Sequence, residues 1–494
     1  QIPIPKRVVA STIKPHEITL PEGGQRPFTF ELEVQPILDR ACIACHDGSN
    51  KLADFTGGRI DKFSGFGESY LNLHPYIHRQ GPEAEIEVLN PYEYHASTSQ
   101  LIKMLRTGHH GVELTDKEWG TLYNWIDFNA PYHSKFKANI FKGIEQISRR
   151  TELTEKYAGS GVDWKAEIRS YADYLSKQEK PAAVKPERKE YKDKEGKLKG
   201  WPFDAATAKA MLSKETETQK SIELAPGIRM NFVRVPAGSF VMGSNRGHSD
   251  YSPVSKQVVK KAFWMGEIEV SNEQFRTIFP EHNSRFIGQL WKDHVHEGYP
   301  ANNPEQPAIR VSWQEAMDFC KKLSEKTGLN VTLPTEVQWE WACRAGSDDD
   351  FWYGSLNTDF AKFENLADVQ LNKAAVRGVN PQPMNPNDSW YKYYTYQPKE
   401  NGVDDGNMLM VKGGSYQANP WGLYDMQGNV AEWTRSDYMP YPYNEKAQDG
   451  TGTEKVARGG SWTEHPKTCT SYYRKAYLPW QKVYNVGFRV IIED

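Results

Sequence analysis

The sequence has few cysteines, almost no net charge and no long apolar run, and each absence narrows the functions it can have. Only 5 of its 494 residues are cysteine, which leaves little room for disulfides. Its 61 basic and 64 acidic residues nearly cancel, so no basic field would attract nucleic acid or anionic lipid. No apolar stretch approaches the roughly 20 residues of a transmembrane helix. The length instead predicts about two or three soluble domains.

Two of the cysteines stand in Cys42-Ile43-Ala44-Cys45-His46, the C-x-x-C-H spacing that attaches a c-type haem. Each thiol can bond one vinyl group of the porphyrin, and His46 then falls beneath the iron as its proximal ligand. The alternative is a redox-active C-x-x-C pair that happens to precede a histidine. Because this haem is attached outside the cytoplasm, the motif predicts a periplasmic or extracellular protein. A chain that opens at Gln1 without a signal-like segment agrees with an exported, mature protein.

Predicted helices lie on both sides of the motif. Apolar residues recur at helical spacing over 34–41, and Pro36 is tolerated in a first turn. A capping-box pattern at 115–118 begins a second helix. This arrangement resembles the small cytochrome c fold, and residues 34–46 and 125–132 resemble cytochromes of planctomycete-type bacteria. The resemblance implies an all-α domain with one covalent haem c.

In that fold the second iron ligand comes from the loop before the last helix. Here that loop contains His109 and His110 and no methionine. The resemblance therefore implies ligation by two histidines, with His109 as the first choice, His110 as the second and His95 as the third. Two histidines would give a lower potential than a histidine–methionine pair and would close the iron to substrates.

The domain organisation follows from composition and from these resemblances. Residues 185–199 form a mixed charge run with almost no apolar content, which cannot offset its ordering entropy and predicts a solvated linker. The predicted parts are an N-terminal extension (1–26), a monohaem cytochrome c-like domain (27–135), a helical and charged linker (136–226) and a C-terminal domain (227–494).

The C-terminal domain carries an ordered series of motifs rich in glycine, tryptophan and acids. They are PAGSFVMG (236–243), EIEVSNEQF (267–275), VSWQEA (311–316), LPTEVQWE (333–340), GLYDMQGN (422–429) and RGGSW (458–462). The series resembles the formylglycine-generating (sulfatase-modifying) enzyme family. The resemblance implies an α+β, C-type-lectin-like fold with little regular structure, in which only 313–326 and 336–344 read as helices.

The same resemblance implies one or two calcium ions held by oxygen ligands. The ligands of the first site would be Asp425, Glu432 and the carbonyls of Gly428 and Val430. Those of the second site would be Asn365, Asp405 and the carbonyls of Leu366 and Asn407. The alternative is that Asp425 and Glu432 only cap a turn through hydrogen bonds.

The resemblance breaks at the catalytic position. The family enzyme binds copper through two thiolates five positions apart, and those positions hold Glu464 and Cys469 here. One thiolate and one carboxylate cannot make the two-sulfur site that suits Cu(I), so formylglycine formation is not expected. The resemblance implies a disulfide between Cys343 and Cys469 instead, which would leave Cys320 as a buried thiol.

Three functions are compatible with these features. The favoured one is an electron carrier whose non-catalytic lectin-like domain docks it to a redox partner protein, to other cytochromes or to an assembly. The second is a redox enzyme that modifies a protein or small substrate in a cleft near Glu464, His465 and Cys469. The third is an extracellular scaffold. The carrier is favoured because nothing else in the chain offers a complete reaction centre.

Overall fold

The computed structural model of the chain describes most of its residues. The described residues are 24, 28–50, 52–62, 64–79, 92–106, 108–132, 146–161, 163–177, 182–184, 197–245, 249–292, 297–378, 382–388, 391, 398–439, 441–444 and 453–494. The predicted N-terminal extension, apart from Gly24, and most of the charge run at 185–199 therefore lie outside the described residues. Backbone contacts divide the chain into two compact units, Gln1–Tyr70 with Ala130–Val184 and Leu71–Asn129 with Lys185–Asp494.

The described α-helices are short and lie in both units. They are α1 (Gln35–Ala41), α2 (Glu68–Leu73), α3 (Gln100–Arg106), α4 (Asp116–Asp127), α5 (Gln146–Ala158), α6 (Trp164–Ser176), α7 (Ala205–Leu212), α8 (Asn272–Arg276), α9 (Trp313–Thr327) and α10 (Glu336–Arg344). In this described part of the chain, no helix combines the length and the hydropathy needed to cross a membrane.

All described strands lie in the second unit. They are β1 (Gln219–Ala225), β2 (Ile228–Val235), β3 (Gly238–Met242), β4 (Ser255–Val259), β5 (Phe263–Gly266), β6 (Phe286–Ile287), β7 (Leu290–Lys292), β8 (Tyr299–Pro300), β9 (Asn330–Thr332), β10 (Ala375–Gly378), β11 (Gln382–Pro383), β12 (Ala431–Asp437), β13 (Lys455–Arg458), β14 (Arg474–Tyr477), β15 (Val486–Gly487) and β16 (Ile491–Glu493).

The helices predicted from local signals are confirmed. Pro36 lies in the first turn of α1, and Thr115 and Glu118 form the predicted capping box of α4. Ser312 and Thr335, just before α9 and α10, cap these helices in the same way. These signals are reliable because a capping box satisfies backbone donors within four residues of one another.

The first unit has a small aromatic core next to α1. The rings of Phe30, Tyr70 and Tyr132 lie with their centroids 4.9–5.9 Å apart. The hydroxyl of Tyr70 donates a 2.8 Å hydrogen bond to the carbonyl of Ala130, and that of Tyr132 donates one of 2.7 Å to Glu31. Both phenols are thus satisfied where they are buried.

The second unit is built on two main sheets. The larger has the strand order β1-β2-β5-β16-β9 and is antiparallel. The other has the order β14-β13-β12-β15, in which only the β12–β15 pair is parallel. Fully buried tryptophans, among them Trp339, Trp341 and Trp433, fill the core between short elements. Large aromatic side chains supply the apolar area that short strands cannot.

The second unit also includes the segment around α3, which the sequence assigned to the haem domain. A buried ion pair of 2.5 Å joins Arg310 to Glu93. Gln481 donates a 2.8 Å hydrogen bond to the carbonyl of Tyr92, and Arg106 makes a two-pronged bond to Glu454 at 3.1 and 2.8 Å. Because α1 and α4 fall in different units, the cytochrome c fold and its domain bounds stay predictions.

His78 also holds the segment around α3 in the second unit, because its ring stacks on two tyrosine rings. Its ring lies 4.6 Å from that of Tyr94 and 4.4 Å from that of Tyr484, and its Nδ1 is 2.9 Å from the hydroxyl of Thr98. Burial lowers the pKa of His78 to about 3, and His95 and Arg310 reinforce the shift. His74, four positions earlier, is buried.

This histidine should make the protein sensitive to acid. Its pKa is depressed on folding, so its contribution to stability is lost as the pH falls from its unfolded value near 6.5 towards 3. In that window the free energy of unfolding should decline by about 1.4 kcal/mol per pH unit through this residue. Urea unfolding across the range should show a shallower decline in His78→Phe. Equal slopes in the variant and the parent would contradict the assignment.

Candidate functional site

The C-x-x-C-H motif forms a tight turn directly after α1. The amide of Cys45 donates to the carbonyl of Cys42 at 3.1 Å, and the amide of His46 donates to the same carbonyl at 3.0 Å. Both cysteines are partly exposed, whereas Cys320, Cys343 and Cys469 are buried. The motif thiols thus lie on one turn, where a single planar group can reach both.

His46 is held in the orientation that an iron ligand needs. Its Nδ1 is 2.9 Å from the carbonyl of Ala53, and its ring lies 4.8 Å from that of Phe55. A metal-bound histidine usually donates its other ring N–H to a carbonyl or carboxylate, which fixes the tautomer and the ring plane. Nδ1 is engaged in this way, so Nε2 is the nitrogen suited to iron. The residues present therefore fit a haem.

The three candidates for the second iron ligand lie in the second unit. His109 and His110 occupy a short 3₁₀ turn with their rings 4.6 Å apart in an edge-to-face arrangement. His95 lies before another 3₁₀ turn, and its amide donates to the carbonyl of His78 at 2.7 Å. His46 belongs to the first unit, so the choice among the three stays a prediction.

The position of the family's copper thiolates holds an ion pair instead. Glu464 accepts hydrogen bonds from the ammonium of Lys475 and, at 3.1 Å, from the hydroxyl of Ser461. The side chain of Lys475 is 3% exposed. Burial raises the pKa of Cys469 to about 12, with Glu464 adding to the shift, so its sulfur is a neutral thiol. One thiol beside a carboxylate that is already paired with an ammonium does not make the two-sulfur site that suits Cu(I).

The space beside this ion pair is small. A cavity of about 70 Å³ is lined by Glu464, Thr468 and Lys475 on one side. Its other walls come from residues 75–78 and from Lys103. This volume is below that of most ligand pockets, which usually measure about 300–1,000 Å³.

The cysteines implied to pair are separate thiols in this structure. Cys343 and Cys469 are both fully buried, and neither forms a disulfide. The sulfur of Cys469 instead lies 3.6 Å from the carbonyls of Glu464 and His465. The predicted Cys343–Cys469 disulfide is therefore not present in the structure. Cys320 is buried in α9 as predicted.

The first calcium site coincides with a buried cluster of acids. Asp425 and Glu432 are at most 2% exposed, and Glu269 beside them is 1% exposed. Both oxygens of Glu432 accept hydrogen bonds from Arg489, and one also accepts from Trp339 at 2.7 Å. Arg489 thus competes with any cation for Glu432. Burial and the neighbouring acids raise the pKa of Glu269, and burial raises that of Asp425 to about 6.

Two carboxylate oxygens of this cluster have no hydrogen-bond partner in the described part of the chain. Oδ1 of Asp425 and Oε2 of Glu269 are buried and accept no hydrogen bond among the residues that the structure describes. A buried anion without a partner is costly unless a cation or a proton meets it. Glu269 was missed in the sequence because it lies far from the GLYDMQGN motif along the chain. Within the described ranges, no three His, Cys, Asp or Glu side chains converge as a metal site.

The second predicted calcium site is more fully hydrogen-bonded. The oxygens of Asp405 accept from the amide of Asn407 at 2.7 Å and from the hydroxyl of Tyr416 at 3.0 Å. Asn365 donates to the carbonyl of Leu409 at 2.9 Å, and its buried Oδ1 has no partner in the described part of the chain. Asp368 accepts from the amide of Asp405 at 2.6 Å. This site therefore offers fewer vacant oxygens than the first.

Comparison with known proteins assigns the C-terminal part of the second unit to a family. A family model described as "Sulfatase-modifying factor enzyme 1-like domain" matches residues 219–494. The match covers more than half of the chain, which therefore belongs to this family. The predicted formylglycine-generating-enzyme-like domain is confirmed, and the match begins at β1 rather than at residue 227.

The relatives include active and inactive members by name. The formylglycine-generating enzyme of Mus musculus is 25% identical over 307 residues, which cover 52% of this chain and 73% of the mouse protein. The protein named inactive C-alpha-formylglycine-generating enzyme 2 of Bos taurus is 26% identical over 284 residues, covering 49% and 80%. Among solved structures, PvdO from Pseudomonas aeruginosa aligns over 57% of this chain and 100% of its own, with 22% identity and a TM-score of 0.42.

Proposed function

We propose that this protein is an exported c-type cytochrome that carries electrons, and that its sulfatase-modifying-factor-like domain docks it to a redox partner or an assembly. The observation that carries the proposal is the hydrogen bond between Nδ1 of His46 and the carbonyl of Ala53. It orients the ring as a proximal ligand directly beside two thiols at haem-attachment spacing. Haem held there would supply one-electron chemistry between its ferric and ferrous states.

The ion pair at the position of the family's copper site supports a binding role for the C-terminal domain rather than a catalytic one. Glu464 and Lys475 neutralise one another where the family enzyme has a copper thiolate. The relative from Bos taurus that is named inactive supports the idea that members of this family can lack the activity. A fold does not by itself imply a function, so the domain's role must be judged at its site.

The second candidate is a redox enzyme that modifies a protein, and the active relatives favour it. The two functions predict different spectra and metal contents. The carrier should contain a six-coordinate, low-spin haem that does not bind carbon monoxide, and metal analysis should find no copper. A high-spin haem that binds carbon monoxide, or copper equal to the protein concentration, would reverse the choice.

We also propose that calcium occupies the acid cluster of Glu269, Asp425 and Glu432. The two vacant carboxylate oxygens support this proposal, because hard oxygen donors suit Ca²⁺. The backbone carbonyls of Gly428 and Val430 would complete the ligand set. The ion would balance the negative charge of these acidic side chains, which the single positive charge of Arg489 does not balance alone.

Calcium should therefore raise the thermal stability of the protein. At a concentration about 100 times its dissociation constant, a ligand that binds only the folded state adds about 2.7 kcal/mol. Differential scanning fluorimetry after chelation should show a lower midpoint that calcium restores and magnesium does not. In Asp425→Asn the calcium-dependent shift should disappear. The matched change Asp359→Asn, at an exposed carboxylate, should leave it intact. A full shift in Asp425→Asn would refute the site.

A further inference from the structure

A second and larger cavity lies in the second unit; it shares Lys103 and Lys475 with the small cavity beside Glu464, and His95 also lines it. Its volume is about 580 Å³, within the usual range of about 300–1,000 Å³ for ligand pockets. The segment around α3 forms one side and strand β14 with its flanking residues forms the other. We call it the tyrosine cavity, after Tyr92, Tyr94, Tyr123 and Tyr438 in its lining.

The walls of the tyrosine cavity combine its four tyrosines with aliphatic side chains and with charged ones, the carboxylates of Asp127 and Glu454 among them. Tyr94 is stacked on His78 with an angle of 15° between the rings. The hydroxyl of Tyr438 donates a 2.7 Å hydrogen bond to Asp250, which fixes that ring. Ile102 and Leu478 add aliphatic surface. Rigid aromatic and aliphatic walls favour a flat apolar body over a flexible polar one.

Among the described residues, every cation that lines the cavity except one has a carboxylate partner. Arg106 binds Glu454 at 2.8 Å, Arg474 binds Glu336 at 2.6 Å, and Lys475 binds Glu464. Each of these ion pairs is close to neutral as a whole. The two arginines and Lys475 therefore do not need an anionic ligand to balance their charge.

Lys103 is the exception. Its ammonium lies 3.3 Å from the centre of the Tyr477 ring and donates one long hydrogen bond of 3.4 Å to the carbonyl of Ala476. Neither contact is with a carboxylate, although an ammonium has three protons to donate. Burial lowers the pKa of Lys103 well below its ordinary value; Lys475 and Arg106 lower it further, while Glu464 and Glu454 raise it. An anion placed here would relieve that cost.

We propose that the tyrosine cavity binds a small organic anion, a carboxylate on a planar apolar body, with the carboxylate on Lys103 and the body against the tyrosines. The volume of the cavity suits a ligand of this size, and the tyrosines suit its planar apolar body. Lys103, which has no carboxylate partner among the described residues, suits its carboxylate. This proposal does not depend on haem attachment, so either can fail without the other.

The test uses the full chain with 2-naphthoate as the probe and 2-naphthamide as its uncharged counterpart, both measured by titration calorimetry. Naphthoate should bind roughly tenfold or more tightly than naphthamide. The reason is that a carboxylate forms a stronger hydrogen bond with an ammonium in a partly buried site than a neutral amide does. Equal affinities, or no binding of naphthoate, would overturn the proposal.

Variants separate the role of Lys103 from a structural one. Lys103→Met should lower naphthoate affinity to that of the amide, whereas Lys103→Arg should retain part of the preference. Lys322→Met is the matched control, because Lys322 also lies over a ring, that of Phe279 at 4.3 Å, but outside the cavity. Ser97→Phe should fill the cavity and weaken both probes. Unchanged naphthoate affinity in folded Lys103→Met would refute the assignment.

Discussion

Replacing both Cys42 and Cys45 with alanine should remove all covalently bound haem. The parent, produced in cells with a competent haem-attachment system, should carry one haem that survives denaturation. Its intact mass should exceed that of the polypeptide by one haem, and the denatured chain should stain for peroxidase activity. In the double variant both signals should vanish, because the thioether bonds have no sulfur to form on.

The matched control is Cys320→Ala. Cys320 is a buried thiol of α9, far along the chain from the motif. Its loss removes a cysteine without touching Cys42, Cys45 or His46, so haem content should equal that of the parent. A parent protein without a haem adduct would end the electron-carrier proposal. A double variant that still carries covalent haem would show that the attachment site lies elsewhere.

Local signals predicted the helices well because the responsible groups are close together in sequence. The capping boxes of α4, α9 and α10 each need residues only three positions apart. A cap does not fix which side of a helix is buried. In α4, Leu122, Trp125 and Ile126 are buried, while Trp119 and Tyr123 are only partly covered. Periodicity indicates a face, whereas packing decides how wide it is.

The site was predictable where short motifs define it. The C-x-x-C-H spacing and the replacement of a copper thiolate by Glu464 could both be recognised from residues a few positions apart. The partners that give these positions their chemistry could not. Lys475 reaches Glu464 only after the chain has turned into β14. An ion pair such as this one, formed across a turn, produces no periodic pattern in the sequence.

Long-range contacts were the least predictable feature. The sequence grouped residues 92–106 with the haem motif, because they follow it along the chain. The ion pair of Glu93 with Arg310 joins residues 217 positions apart and binds that segment into the second unit. The tyrosine cavity exists only because of this placement. Neither composition nor spacing carries information about such a contact.

Replacing Arg458 with methionine should cost about 3–5 kcal/mol of stability, as expected when one partner of a buried ion pair is removed. Arg458 is fully buried and donates to Glu340. It also donates to the carbonyl of Ser471 at 2.8 Å and to that of Tyr472 at 2.9 Å. With methionine at this position, Arg344 would be the remaining cation beside Glu340. The buried carbonyls of Ser471 and Tyr472 would each lose the hydrogen bond that Arg458 donates.

Urea unfolding followed by tryptophan fluorescence should measure this loss, since Trp339 lies 5.2 Å from the guanidinium. The same substitution at Arg435 is the matched control. That arginine pairs with Glu493 at 2.6 Å, but both side chains are 30% exposed, and such pairs contribute about 0–1 kcal/mol. Arg458→Lys should fall between the two, because lysine keeps the charge but cannot reach several acceptors at once. If Arg458→Met costs no more than Arg435→Met, the buried network does not hold the second unit together, and its rigidity must come from the aromatic core alone.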